Sequence, residues 1–280
     1  MLSLHLLACP ICNSTFTQHN GTLQCTHMHT FDIAREGYVN LLRKQQPGDN
    51  AEMLLARRQF LGKGYYLDLV HTLNTLLATA LQDMALGRAA RILDAGCGEG
   101  YYLGQVYHYF HARQRPVACI GLDISKRAVR MAAKQYCDVS FVVANSKERL
   151  VFVDNAFDIV LNIFAPRNAA EFARVLSPGG VLLVVIPGPS HLAQVREQFH
   201  LLQIEEQKQQ HLIEQFAPYF TLQCVTPVRY TLNLAREAIE WIVTMTPNFW
   251  HLSDEKRQEL ASSDGMSTDI EFICLLMRKR

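Results

Sequence analysis

From residue 91 onward, short apolar runs alternate with segments of helical periodicity. Each run is four to seven residues long, a length typical of strands that are buried on both faces. The runs that predict strands are 91–94, 117–123, 140–144, 157–163 and 181–186. Between the second and third runs, residues 126–135 predict a helix with Ser125 as its N-terminal cap. This alternation predicts an α/β fold with a mostly parallel sheet and helices on both faces.

The chain on either side of this region follows other patterns. Two helices are predicted before it, at about 51–61 and along the apolar positions from Leu69 to Leu81, after a turn signal at 45–50. Residues 1–38 have little helical periodicity and are rich in Cys and His. A long helical stretch is predicted from about 191 to 216. Two late strands, near 222–232 and 270–277, predict an antiparallel finish to the sheet.

Length and composition allow one large domain with a smaller module. The 280 residues are 49% hydrophobic and 19% charged, which is typical of a globular protein. The longest apolar stretches, such as 180–187, are too short to span a bilayer, and the N-terminus lacks a positively charged segment. The predicted location is therefore the cytoplasm, without a membrane partner.

The net charge of +1 does not indicate general nucleic-acid binding. Cations are nevertheless clustered at several places along the chain. We interpret each cluster on its own as a solvated surface face. The clusters are Arg57 with Arg58, the group Lys126, Arg127, Arg130 and Lys134, and the last three residues, 278–280.

A glycine-rich motif follows the first predicted strand and opens a helix. It reads Asp94-Ala95-Gly96-Cys97-Gly98-Glu99-Gly100. Glycines at a strand-to-helix turn permit positive φ angles and close approach of the backbone to a ligand. The spacing D-x-G-x-G-x-G differs from the G-x-G-x-x-G of dinucleotide sites. Gly96, Gly98 and Gly100 are therefore predicted to let the chain pass under a ligand.

Polar residues at the ends of the next two strands sharpen this prediction. Asp123 closes the second strand, where a carboxylate can bind both hydroxyls of a ribose. Asn145 follows the third strand, where it can meet an adenine or simply cap a helix. The combination resembles class I (Rossmann-like) S-adenosylmethionine methyltransferases, in which Asp94 would hold the methionine ammonium. A nicotinamide or flavin enzyme and a glycine turn without a ligand are the alternatives.

The N-terminal segment carries metal-ligand spacing. Cys9 and Cys12 form a C-x2-C knuckle, and Cys25 begins a second half in which His27 and His29 compete for the fourth position. Four nitrogen and sulfur ligands suit a tetrahedral structural zinc ion. The alternative is a set of unmetallated thiols, but so short a segment has little core to fold around without a metal or disulfides. A zinc ion with four protein ligands would not be catalytic.

Several segments together resemble one family, the bacterial 23S rRNA (guanine-N1)-methyltransferases of the RlmA type. The resemblance covers nearly the whole chain, and its most specific part is the Cys/His knuckle followed by Glu36-Gly37-Tyr38-Val39-Asn40. Its other segments are 29–35, 41–42, 47–53, 56–58, 96–102 and 187–192.

The family implies a function and several site residues. It implies methyl transfer from S-adenosylmethionine to N1 of a guanine in a hairpin of 23S rRNA, by a homodimer whose zinc modules flank an RNA-sized cleft. It favours His29 over His27 and so implies zinc on Cys9, Cys12, Cys25 and His29. It also implies cofactor contacts from Tyr66, from the Gly98-Glu99 turn and from His191.

One segment departs from the pattern of many amino-directed methyltransferases. Where those enzymes carry Asn/Asp-Pro-Pro-Tyr/Phe, this chain has Asn162-Ile163-Phe164-Ala165-Pro166. The missing double proline argues against the usual transfer to an exocyclic amine. Phe164 is predicted either to stack on an extruded base or to belong to the core. The sequence identifies no catalytic base.

These observations predict three parts: a zinc-binding module at 1–38, a helical connector at 39–85 that contributes to the cofactor site, and a class I methyltransferase domain at 86–280. Two other function classes stay open. A methyltransferase acting on a small molecule would have no use for a zinc module. A zinc-dependent RNA-binding protein with a vestigial cofactor fold would have a damaged glycine loop.

Overall fold

A small sheet lies near the N-terminus. The computed structural model describes residues 4–280 except 45, 47, 85–86, 206, 247–255, 257, 259 and 261–263. Within this part of the chain the small sheet has three antiparallel strands that neighbour one another in chain order: β1 (Phe16–His19), β2 (Thr22–Cys25) and β3 (Thr30–Asp32). It packs on the larger body because Phe16 and Leu23 of the small sheet share a core with Leu93, and the N–H of Ala8, which precedes the sheet, donates to the carbonyl of Val151.

A larger mixed sheet forms the centre of the molecule. In the described chain its eight strands are β4 (Val39–Asn40), β5 (Ala90–Ala95), β6 (Val117–Asp123), β7 (Ser140–Val143), β8 (Phe157–Ile163), β9 (Leu176–Pro187), β10 (Phe220–Leu234) and β11 (Met266–Lys279). Their spatial order is β10-β11-β9-β8-β5-β6-β7-β4. The strands from β9 to β4 are parallel, and β11 and β10 are antiparallel at one edge. The α/β prediction and the antiparallel finish are confirmed.

The helices connect these strands and cover the sheet. Asn50 accepts the N–H of Met53 and so caps the first helix, and Ser125 accepts the N–H of Ala128 and caps the fourth as predicted. The α-helices with described bounds are α1 (Ala51–Gly62), α2 (Leu67–Met84), α3 (Tyr101–His111), α4 (Lys126–Gln135), α5 (Ala169–Val175), α6 (Ala193–Gln198), α7 (Lys208–Phe216) and α8 (Arg236–Thr244). The turn predicted at 45–50 has two residues, 45 and 47, outside the described part.

The apolar runs of the sequence lie at the centre of the sheet. All seven residues of β8 are buried, because helices cover both faces of a parallel sheet. Alternate residues of one strand face two different cores. Ile92 belongs to the core that contains α1 to α3, and Leu93 belongs to the core that contains α5 and the N-terminal segment.

The strand order fixes where a ligand can bind. The chain runs from β5 outward through β6 and β7, and then returns to the other side of β5 as β8 and β9. Parallel strands leave a crevice at their carboxyl ends where the order reverses. The glycine motif follows β5 at this position, and Asp123 ends the neighbouring β6.

One sequence-based expectation about the elements is wrong. The continuous helix predicted from 191 to 216 is two helices, because His200 adopts a left-handed φ of 51° and the N–H of Leu201 returns to the carbonyl of Arg196. The predicted connector begins with a strand: Val39 and Asn40 pair in parallel with β7. The boundary predicted at 85/86 lies outside the described residues.

None of the helices in the described part of the chain has the length and apolar character needed to cross a bilayer.

Candidate active site and zinc centre

The glycine loop joins β5 to α3 through a series of left-handed residues. Gly96, Gly98 and Gly100 have φ angles of 101°, 54° and 83°. A side chain at Gly96 is excluded by space as well, since an added Cβ would lie 2.3 Å from the Cβ of Ala165. The loop therefore retains the backbone path that a bound cofactor requires, which argues against a vestigial fold.

Three carboxylates surround this loop: Asp94 and Glu99 are buried, and Asp123 is partly buried. Asp123 accepts hydrogen bonds from the N–H groups of Gly98 (2.9 Å) and Ser125 (2.8 Å), which fixes its side chain beside the loop. Asp94 is 1% exposed, and its Oδ1 has no hydrogen-bond partner among the described residues. Oε1 of Glu99 is buried without a partner in the same way.

Burial raises the pKa of Asp94 to about 8, and the charges of Asp123 and Glu99 add to this effect. Burial also raises the pKa of Glu99 and of Asp123. A ligand with positive charge would relieve this repulsion and supply hydrogen bonds to the two unpartnered oxygens. S-adenosylmethionine carries an ammonium and a sulfonium group, so the donor set fits this cofactor.

One cation inside the site was not predicted from the sequence. Nη1 of Arg57 lies 2.6 Å from Oδ2 of Asp49 and 3.9 Å from Oε2 of Glu99, and Nη2 donates to the carbonyl of Met245. Arg57 thus connects α1, the glycine loop and the end of α8. The interpretation of the Arg57 and Arg58 cluster as a solvated surface face is therefore wrong for Arg57, whose side chain is 24% exposed and paired with carboxylates.

Tyr66 and His191, named only through the family resemblance, meet in the interior. Oη of Tyr66 lies 3.4 Å from Nε2 of His191, and both side chains are buried. Phe272 of β11, which the sequence did not single out, packs edge-on against Tyr66 with 4.7 Å between ring centroids, and the same distance separates it from His191. Burial lowers the pKa of His191 to about 3, so its ring is neutral, and Nδ1 has no partner among the described residues.

Phe164 follows β8 and is not a core residue. It is 41% exposed and has a left-handed φ of 52°, a strained conformation for a bulky side chain. Its ring contacts Phe272 at 5.2 Å and Tyr102 at 6.2 Å between centroids. Strain of this kind concentrates at functional sites.

Asn162 positions the segment that carries Phe164. Its side-chain amide donates to the carbonyls of Ala95 (2.9 Å) and Pro166 (3.0 Å), which holds the end of β8 against the end of β5. Its Oδ1 is buried and unpartnered in the described chain. Asn162 thus joins Asp94, Glu99 and His191 among the described residues whose buried side chains carry an unpartnered polar atom.

Asn145 lies at the rim and makes hydrogen bonds of its own. It donates to Oε1 of Gln46 and of Glu148, and its Oδ1 accepts the N–H of Lys147. The sequence left open a helix cap as the alternative to the adenine contact, but β8 is the next element after β7 and Asn145 caps a turn instead. Its contact with an adenine stays a prediction.

The N-terminal cysteines and His29 converge on one point. The possible ligand atoms of Cys9, Cys12, Cys25 and His29 all lie within 4.8 Å of one another. Nδ1 of His29 is 3.6 Å from Sγ of Cys9 and 3.4 Å from Sγ of Cys25, and Sγ of Cys12 is 3.6 Å from Sγ of Cys25. His27 is exposed and lies outside this cluster.

These distances match a tetrahedral zinc site. Zn–S bonds of about 2.3 Å and Zn–N bonds of about 2.0–2.1 Å place neighbouring ligand atoms roughly 3.5–3.8 Å apart in a tetrahedron. The hydroxyl of Ser14 lies 3.0 Å from Sγ of Cys12. This hydrogen bond is the main reason why the pKa of the Cys12 thiol is lowered to about 5. Such a partner favours the thiolate that a metal requires. The donor set therefore fits zinc.

Comparisons with known proteins agree with both halves of this description. A family model of the N-terminal zinc ribbon of RlmA proteins matches residues 7–47, and a methyltransferase-domain model matches residues 92–180. The chain thus combines a zinc ribbon with an S-adenosylmethionine-dependent methyltransferase domain.

Curated relatives cover almost the whole chain. The 23S rRNA (guanine(748)-N(1))-methyltransferase of Streptomyces fradiae is 37% identical over 93% of this chain and 91% of its own length. YxjB of Bacillus subtilis (strain 168), which carries a provisional name as a 23S rRNA guanine-N1-methyltransferase, is 31% identical over 96% of both chains. Among solved structures, the YcgJ protein of Bacillus subtilis is similar in fold, with a TM-score of 0.50 and 22% identity over 75% of this chain and 98% of that one.

Proposed function

Because this chain belongs to the RlmA-type family of 23S rRNA (guanine-N1)-methyltransferases, we propose that it transfers a methyl group from S-adenosylmethionine to N1 of a guanine in a hairpin of 23S rRNA. The observation that carries this proposal is the similarity over 93% of the chain, which includes the zinc ribbon as well as the methyltransferase domain. A small-molecule methyltransferase does not account for the ribbon, and a vestigial cofactor fold does not account for the intact glycine loop.

S-adenosylmethionine supplies an electrophilic methyl group on its sulfonium. We propose that Asp94 binds the ammonium of the methionine part and that Asp123 binds the ribose hydroxyls, since both carboxylates lie beside the glycine loop. Gly96, Gly98 and Gly100 let the backbone pass beneath the methionine part. Further proposed contacts come from Tyr66, Glu99, Asn145 and His191.

The target guanine must enter the crevice, and its N1 must lose a proton when the methyl group is transferred. We propose that Phe164 stacks on the extruded base, because its ring is partly exposed and held at the carboxyl end of β8 by the strained backbone and the contact with Phe272. Precise positioning of N1 can supply a large part of the rate acceleration. No catalytic base is assigned.

The zinc ion has a structural role in this proposal. Cys9, Cys12, Cys25 and His29 would fill its tetrahedral positions and leave none for a substrate. The metal would hold the ribbon, whose small sheet has few apolar residues of its own, in one conformation on the larger body.

We propose three finer features, of which the first rests on the family resemblance and the other two on the sequence patterns. The chain acts as a homodimer, which light scattering of the purified protein tests. It works in the cytoplasm, where its rRNA substrate is found. It divides into a zinc module at 1–38, a connector at 39–85 that brings Tyr66 to the cofactor, and a methyltransferase domain at 86–280.

The test of the proposed function is methyl transfer from labelled S-adenosylmethionine to rRNA from cells that lack the gene. We expect the label in 1-methylguanosine from 23S rRNA, identified by mass spectrometry of the digested nucleosides. Cofactor binding without label in any RNA would overturn the proposal in favour of a small-molecule substrate.

A further inference from the structure

Helix α4 carries only positive charge. Its ten residues include Lys126, Arg127, Arg130 and Lys134, all exposed, and no acidic residue. The whole chain has 27 Lys and Arg against 26 Asp and Glu, which gives a net charge of +1. Without these four cations the net charge of the chain would be negative. Arg127, Arg130 and Lys134 stand at positions i, i+3 and i+7, which places them on one stripe of the helix. We call Lys126 and these three residues the α4 basic face.

Helix stability does not account for this arrangement. The N-terminal end of a helix carries a partial positive charge and favours acidic side chains, yet Lys126 and Arg127 occupy the first turn of α4 and no acid is present there. Among the residues that the structure describes, Arg130 has an ion pair, at 2.8 Å with Glu36, and no ion pair involves Lys126, Arg127 or Lys134. The basic face is therefore largely available to an external anion.

The α4 basic face lies beside the proposed cofactor site. The helix begins three residues after Asp123, whose carboxylate accepts the N–H of Ser125 at 2.8 Å. Its inner side packs on the glycine loop, since a Cβ added at Gly100 would lie 3.0 Å from the Cβ of Ala132. An anionic polymer bound along α4 would thus be directed to the crevice.

The same helix also contacts the segment that leaves the zinc ribbon. Glu36, the partner of Arg130, lies between β3 of the ribbon and β4 of the large sheet. From Arg127 to Lys134 the helix rises about 10 Å. The basic face therefore spans the surface between the ribbon and the cofactor crevice.

We propose that the α4 basic face binds the phosphate backbone of the substrate RNA on its path from the zinc ribbon to the methylation site. The inference rests on the proposed function, because it takes rRNA as the substrate. Contacts of this kind position a nucleic acid without reading its sequence, and they release counterions on binding. RNA affinity then depends on salt through these side chains.

The test compares two double variants of the full-length protein. Arg127→Gln/Lys134→Gln removes two cations from the basic face. Arg113→Gln/Arg280→Gln removes two exposed cations that lie outside α4, one before β6 begins and one after β11 ends. For each protein we would measure binding to an unmodified 23S rRNA transcript at several salt concentrations, the KM for that RNA, and the Kd for S-adenosylmethionine.

We expect the α4 variant to bind the transcript about tenfold more weakly near 0.15 M salt. Its slope of log K against log salt should be shallower by about 1 for each lost contact, with an unchanged Kd for S-adenosylmethionine. The control variant should match the wild type. Equal affinity and slope for the α4 variant and the wild type, or an equal loss in the control, would overturn the inference. A wild-type protein that methylates no 23S rRNA would instead overturn the proposed function.

Discussion

The hydroxyl of Tyr66 lies 3.4 Å from Nε2 of His191, although 125 positions separate the two residues in the chain. Tyr66 precedes α2, and His191 lies between β9 and α6, so the contact joins the connector to the segment that follows β9. Because the ring of His191 is neutral, a phenol that donates to Nε2 leaves the proton on Nδ1. Nδ1 is buried and unpartnered in the described chain, so it is available to the cofactor.

This relationship predicts the effect of Tyr66→Phe. Loss of the hydroxyl releases the ring of His191, and we expect the Kd for S-adenosylmethionine to rise about two- to twelvefold, the equivalent of one hydrogen bond of roughly 0.5–1.5 kcal/mol. Calorimetric titration measures this change. Tyr65→Phe is the matched control, because the hydroxyl of Tyr65 makes no hydrogen bond among the described residues. An unchanged Kd for Tyr66→Phe would contradict the role given to this pair.

Asp94→Asn should weaken cofactor binding and yet stabilise the ligand-free protein. The pKa of Asp94 rises from 3.8 to about 8 on folding, chiefly through burial. Between these two pKa values the folded protein keeps a proton on Asp94 that the unfolded chain releases. The free energy of unfolding of the wild type therefore falls as the pH rises from about 4 to about 8. Asparagine does not titrate, so the advantage of the variant should grow across this window by up to about 1.4 kcal/mol per pH unit.

Denaturant unfolding at pH 5 and pH 8.5, without cofactor, measures this difference. Asp138→Asn, at an exposed position, is the control and should show no such pH dependence. If the Asp94→Asn variant is no more stable than the wild type at pH 8.5, burial of the Asp94 carboxylate does not destabilise the ligand-free protein, and the prediction is wrong.

The two histidines of the ribbon should differ in their effect on zinc. We expect His29→Ala to lose most of the metal and His27→Ala to keep about one zinc ion per chain, since only Nδ1 of His29 lies among the cysteine sulfurs. Elemental analysis of the purified proteins gives the zinc content. The reverse result, with loss of zinc in His27→Ala, would mean that the ribbon binds metal with a different ligand set.

Phe164 should act on the RNA substrate through its ring. Replacement by Leu removes the aromatic face, and we expect kcat/KM for rRNA to fall roughly 5- to 150-fold, which corresponds to about 1–3 kcal/mol for stacking of one base. Phe164→Tyr keeps the ring and should retain most of the activity. If Leu and Tyr perform equally well in steady-state assays, stacking is not the role of this residue.

Sequence patterns predicted the parts of the molecule that depend on neighbouring residues. The glycine loop, Asp123 and the Ser125 cap all follow from their position at the end of a strand, which the apolar runs identify. The spacing of the cysteines predicts the zinc site and three of its ligands. It does not decide whether His27 or His29 is the fourth ligand. The positions of these two side chains separate them, because His29 lies among the sulfurs and His27 is exposed.

Other parts of the site arise from contacts between distant elements. Phe272 is one apolar residue in a long strand, and its packing against Tyr66 and His191 depends on the antiparallel placement of β11 beside β9. Arg57 lies on α1 and meets Glu99 only because the helix packs over the glycine loop. The helix predicted from 191 to 216 is interrupted at His200, which has a left-handed φ angle. Helical periodicity on both sides of this residue gives no sign of the interruption.

The most direct test of the account is primer extension across 23S rRNA from cells lacking the gene, before and after incubation with the protein and S-adenosylmethionine. A methyl group on N1 of guanine removes a hydrogen-bond donor needed for pairing, so it stops reverse transcription. Methylation at N1 predicts one new stop, dependent on the cofactor, beside a guanine in a hairpin. Incorporation of methyl label into the RNA without such a stop would contradict transfer to N1.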